Sequence, residues 1–175
     1  MGLGLAVLLA LAGCASSGDD TREDASPPSV LVTTDDGELQ LTAWSFCWSG
    51  SGGGSCGDGI EPEDPPSVGA PMHVDITFAE DGWLFEATFT EVTEEPCPLM
   101  LTTTAESTGN GVHRLDPIGP AGDWQVRLFG TGPQGDLSVT FVWTTSSAAD
   151  VDIVATETPS SSMCSPTGAV FRDSG

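Results

Sequence analysis

From residue 30 onward, apolar and polar positions alternate with a period of two, the signature of strands with one buried face. In SVLVTTDDGELQLTAW, Val30 and Val32 open the pattern and Asp36-Gly37 marks a hairpin. Leu39, Leu41 and Ala43 then share one face of the return strand, with Trp44, Phe46 and Trp48 on the other. Val74, Ile76 and Phe78 are in phase, as are Trp83, Phe85, Ala87 and Phe89 after a turn at Glu80-Asp81-Gly82. Leu99, Leu101 and Thr103 follow, then Trp124, Val126 and Leu128, then Leu137, Val139, Phe141 and Trp143. Gly130 to Asp136 links the last two groups as a hairpin turn, and Val151, Ile153 and Ala155 offer a further strand. Outside residues 3–12 no segment has a helical period. Seven or eight short strands separated by turns predict an all-β fold, an immunoglobulin-like antiparallel β-sandwich, with a small barrel as the alternative.

Composition supports one such domain. The chain has 175 residues, and its five Trp and seven Phe can fill a core although only 38% of positions are apolar. Aromatic stripes on strands are core residues first. The off-phase Trp44, Phe46, Trp48 and Phe129 are the candidates for a surface contact patch. Charge narrows the partners further. There is no Lys, and four Arg face 26 acids, a formal charge of −22. That balance excludes nucleic acid, whose binding rests on Lys and Arg neutralising phosphates. It equally disfavours laying a protein face on anionic lipid.

The first segment reads as an address. Residues 1–14, MGLGLAVLLALAGC, hold an apolar run too short to span a bilayer, ending in Leu11-Ala12-Gly13-Cys14. This resembles the lipobox of bacterial lipoproteins, although nothing before Cys14 is charged where that family carries a positive segment. The resemblance implies that residues 1–13 are a removed signal peptide. It also implies a lipid on Cys14 that anchors the chain to the outer face of the bacterial cytoplasmic membrane. Residues 14–29 are rich in Ser, Asp and Pro, and read as a flexible acidic tether. The β domain is expected over residues 30–157, followed by a tail, residues 158–175, carrying Cys164.

Four further cysteines, Cys47, Cys56, Cys97 and Cys164, suggest two disulfides in an exported chain. Three connectivities are possible. Cys47–Cys56 with Cys97–Cys164 is favoured, because the Gly/Ser run between the first two bends back easily. That run is no phosphate cradle, since it lacks the P-loop lysine and is followed by Asp58, Glu61, Glu63 and Asp64. Eight residues between the cysteines is also the wrong spacing for zinc.

GDWQVRLFGTGPQGDLSVTFVWTT, and before it WSFCWSGSGGGSCGDGIEP and GWLFEATF, resemble surface lipoproteins of high-GC Gram-positive bacteria over roughly residues 30–145. The resemblance implies fold and location and brings no activity with it.

Chemistry is sparse. His73 and His113, the latter near Asp116, could join a Ser-His-Asp set, but no GxSxG elbow exists. Met72-His73, Met100 and Met163 are soft copper ligands in principle, yet Cys164 has no His after it. Asp58, Glu61, Glu63 and Asp64 are the acids a calcium ion would use, without the D-x-D-x-D-G spacing. The sequence therefore supports a lipid-anchored extracytoplasmic binding or interaction module without catalytic activity or cofactor, contacting an envelope protein or glycan through the 44–66 region. A calcium- or other metal-binding accessory domain is the second reading.

Overall fold

The computed structural model describes residues 26–50 and 53–146. Within them the chain is all-β and builds two antiparallel sheets from eleven strands. The five-stranded sheet has the order β2-β1-β5-β9-β8. Its members are β1 (Val30–Thr34), β2 (Gly37–Leu41), β5 (Val74–Thr77), β8 (Glu106–Gly109) and β9 (Val112–Leu115). The six-stranded sheet has the order β4-β3-β11-β10-β6-β7. It contains β3 (Ser45–Gly50), β4 (Gly53–Asp58), β6 (Leu84–Glu91), β7 (Met100–Thr104), β10 (Gly122–Gly132) and β11 (Gly135–Thr145).

The core lies between the sheets and is made by the predicted alternation. Val30, Val32, Val74, Ile76 and Leu115 come from the five-stranded sheet. Phe85, Ala87, Phe89, Trp124, Val126, Leu128, Leu137, Val139, Phe141 and Trp143 come from the other. Burying large aromatics also means satisfying their indole N–H groups. Trp143 Nε1 donates to the Pro71 carbonyl at 3.1 Å, and Trp124 Nε1 to the Pro120 carbonyl and Thr145 Oγ1, each at 3.2 Å. These bonds fix the loops that close one end of the sandwich.

The all-β class and two-sheet antiparallel architecture are as the alternation predicts, but the strand count is higher than the expected seven or eight. β4, β8 and β9 are additional, being short or rich in Gly and Ser, and the return strand expected over Leu39 to Trp48 breaks into β2 and β3, which lie in different sheets. The Gly/Ser run is accordingly not a loop: Cys47 and Cys56 face each other across the β3–β4 ladder. The proposed strand around Val151, Ile153 and Ala155 lies outside the described residues, as does the end of the expected 30–157 domain.

One connection shapes the outer surface. After β4, Glu61 reaches the outer face of the six-stranded sheet, and residues 66–69 then run beside the second half of β11, with Val68 in the core. There they pair in parallel with β11 through Ser67 and Val142. Val142 N–H donates to the Pro66 carbonyl, and Val68 N–H to the Val142 carbonyl, both at 2.9 Å.

Candidate functional site

A shallow cleft lies at one end of the sandwich, between the turn leading into β6 and the turn joining β8 to β9. It holds about 360 Å³, at the lower end of small-ligand sites. One wall is Glu80, Asp81, Gly82, Trp83 and Leu84; the other is Ser107, Gly109, Asn110, Gly111 and His113. The second wall owes its shape to three consecutive positive φ angles, 100° at Gly109, 54° at Asn110 and 73° at Gly111. Asn is among the few side-chain-bearing residues that enter this region readily, so its amide can stand at the rim where other types would strain the turn.

Polar groups in the cleft are held in place. Trp83 Nε1 donates to Gln134 Oε1 at 2.8 Å, and Gln134 Nε2 donates to Glu80 Oε2 at 3.0 Å. At the base sits His113, in phase with Leu115 on β9 and only 5% exposed. Its ring meets Phe85 edge-on, 5.3 Å between centroids. Its Nδ1 is enclosed and has no hydrogen-bond partner among the described residues. Burial pushes the His113 pKa below 6.5, so the ring is neutral at pH 7. No cation lines the cleft, and the two described arginines are engaged elsewhere, Arg114 with Asp75 and Arg127 with Glu61. The cleft thus combines carboxylate acceptors, an amide, a hydroxyl and a neutral imidazole beside apolar carbon. Phosphates and carboxylates would be repelled.

The region singled out in the sequence is built differently from the expectation. Trp44, Phe46 and Trp48 do not form one exposed patch. Trp48 is 6% exposed and packs inward against Phe78 and Trp83. Phe46 is half-buried against the core, its ring filling the space over Gly57. A bend before β3 sends Trp44 to the outer face, where its Nε1 donates to Thr140 Oγ1 at 3.1 Å. Arg127 lies over the Trp44 ring at 5.6 Å and donates from Nε and Nη2 to the Glu61 carboxylate. Thr140 Oγ1 donates to Glu61 Oε1 at 2.8 Å. Burial alone would raise the pKa of Glu61, but the bonds from Arg127 and Thr140 and the Arg127 charge outweigh it and hold the pKa below 4.5. This group pins the start of the segment after β4 to the outer face of the sheet. Phe129, the other off-phase aromatic, is 42% exposed on the outer face.

Glu61 is therefore engaged, while Asp58, Glu63 and Asp64 are exposed. Among the described residues no group of three or more His, Cys, Asp or Glu is placed to hold a metal ion. Neither His73 nor His113 has a hydroxyl or carboxylate hydrogen-bonded to its ring among those residues. The Cys47–Cys56 disulfide is formed. Cys97 is also disulfide-bonded, while Cys164, its expected partner, and Cys14 lie outside the described residues. Sequence reasoning missed His113 as a cleft residue, although Val112, His113, Arg114 and Leu115 already alternate and place His113 on the Leu115 face.

No protein-family model matches the chain, and no curated protein matches it. Among solved structures, the crystal structure of chicken CNTN1 FN1-FN3 domains is similar over 69% of this chain, with 15% identity and a TM-score of 0.28. The match spans 58% of that chain. At that level of similarity, nothing about the role of either protein carries over.

Proposed function

We propose that this chain is a lipid-anchored, extracytoplasmic binding module whose ligand site is the cleft between residues 80–84 and 107–113, and that the ligand is a glycan. The single observation that carries the ligand site is His113. A nearly enclosed imidazole with an unpartnered nitrogen is costly to bury, and here it forms the base of a cleft with polar groups on both walls. The chemistry of the walls favours hydroxylated, uncharged ligands. Carboxylates accept from sugar hydroxyls, the Asn110 amide and Ser107 hydroxyl both donate and accept, and Leu84 offers apolar surface. The lipobox resemblance at Cys14 supports anchoring, and disulfide bonding supports an oxidising compartment.

The test is an NMR titration of the His113 ring with glucose, mannose and N-acetylglucosamine. We expect saturable shifts from at least one sugar, with a dissociation constant of about 1 mM or tighter, the range of about 4 kcal/mol or more. Asn110→Gly keeps the backbone conformation, removes the amide and should weaken that binding. If no sugar moves the His113 resonances, or if Asn110→Gly and Asp81→Asn leave binding unchanged, the glycan reading fails.

A further inference from the structure

We propose that the open edge of β7 receives an extended segment of another protein, basic at its ends, as an added strand. The proposal is independent of the cleft and rests on how the four sheet edges differ. Natural edge strands are blunted by charge, short length, bulges or glycine, because a bare edge is a template for pairing. β2 places Glu38 and Gln40 at exposed positions. β4 carries Gly53, Gly54 and Gly57 and ends in Asp58. β8 has four residues, begins with Glu106, and its pairing with β9 shifts register between Ser107 and Gly109. β7 is as short as β2 and is preceded by Pro96 and Pro98, but within Met100–Thr104 it carries no charge, proline, glycine or bulge. Residues 98–105 read PLMLTTTA, uncharged and β-prone in a chain with 26 acids. Leu99 and Met100 are 38% and 54% exposed.

The ladder shows which groups are on offer. Glu91 N–H donates to the Leu99 carbonyl and Ala105 N–H to the Phe85 carbonyl, both at 2.9 Å. Odd-numbered residues of this stretch thus bond to β6. In an antiparallel ladder the alternate residues, Met100, Thr102 and Thr104, then turn N–H and C=O toward the free side. Among the described residues nothing pairs with them there. An incoming strand would find three donors and three acceptors, flanked by Leu99.

Charge selects the occupant. Glu91, Glu94 and Glu95 precede β7 and Glu106 follows it. Antiparallel pairing of two β7 strands would bring Glu106 of each copy toward Glu94 and Glu95 of the other, and both chains carry a formal −22. A second copy is therefore repelled, while a segment with Lys or Arg at its ends is attracted.

The experiment uses the full chain and a synthetic peptide of alternating valine and threonine with two lysines at each end. We expect slower amide hydrogen exchange at Met100, Thr102 and Thr104 on adding the peptide. Binding should be about tenfold weaker or worse when the lysines are replaced by glutamates. Thr102→Pro removes an outward N–H and no bond to β6, a position where an edge strand tolerates proline. It should abolish peptide binding with little change in melting temperature. Thr102→Lys, which places a charge on the edge without touching the backbone, is the second variant and should weaken binding of the basic peptide. The proposal is overturned if those three amides are already protected in the free chain. It is equally overturned if they become protected through dimerisation of the chain alone, or if peptide binding survives both substitutions.

Discussion

Removing the Cys47–Cys56 cross-link isolates what a disulfide does to the unfolded chain. Both cysteines are exposed on the β3–β4 hairpin, so replacing them with serine opens no cavity and buries no hydroxyl. The cross-link joins residues nine apart, for which loop-closure entropy gives about 2.6 kcal/mol. In a domain of this size, 1 kcal/mol moves the melting temperature by roughly 3–5 °C. The double variant Cys47→Ser/Cys56→Ser should therefore unfold about 8–13 °C lower. Calorimetry gives the shift, and urea titration followed by tryptophan fluorescence gives the free energy. Cys97 stays in its own disulfide throughout. If the double variant lies within about 0.5 kcal/mol of the parent, the chain-entropy reasoning is refuted, and the hairpin must already be closed in the unfolded state.

Two further outcomes follow from the core. At Gly130 an added Cβ would lie 2.7 Å from Phe85 and 3.2 Å from Trp83, both buried rings, so Gly130→Ala should cost about 1–3 kcal/mol, read from the denaturation midpoint. His113 makes stability pH-dependent. Its folded pKa lies below 6.5, so between the two values the unfolded chain holds more protons, and stability falls as pH drops through 6.5. The slope is at most about 1.4 kcal/mol per pH unit, measurable as the difference between parent and His113→Gln denaturation curves over that window.

Strands with a long buried stripe were legible in the sequence, and strands that are very short, such as β9, or bury almost nothing, such as β4 and β8, were not. The alternation of Trp124, Val126 and Leu128, or of Leu137, Val139, Phe141 and Trp143, is a direct image of one buried face. β4 has only Gly, Ser, Cys and Asp, so its pairing with β3 leaves no hydrophobic period. Trp44, Phe46 and Trp48 show the limit of period-two reasoning. The spacing put them on one face, but a bend before β3 carries Trp44 to the outside while Phe46 and Trp48 turn inward. The partner that makes this bend worthwhile, Thr140, lies 96 residues away and has no local signal. The cleft was invisible for the same reason. Its two walls come from turns separated by more than twenty residues, and only the packing of the two sheets brings them together.

The position of β11 bears on how the chain can be made. It is the last described strand, yet it stands inside the six-stranded sheet between β3 and β10. Until it emerges, the β3–β4 hairpin and the β10-β6-β7 ladder are separate pieces that share no strand. Val139, Phe141 and Trp143 are then missing from the middle of the core. A chain emerging from its N-terminus therefore cannot join the six-stranded sheet until β11 is available. The pairing of β11 with β3, strands far apart in sequence, is the step that unites the two pieces, and contacts of that range are slow to form.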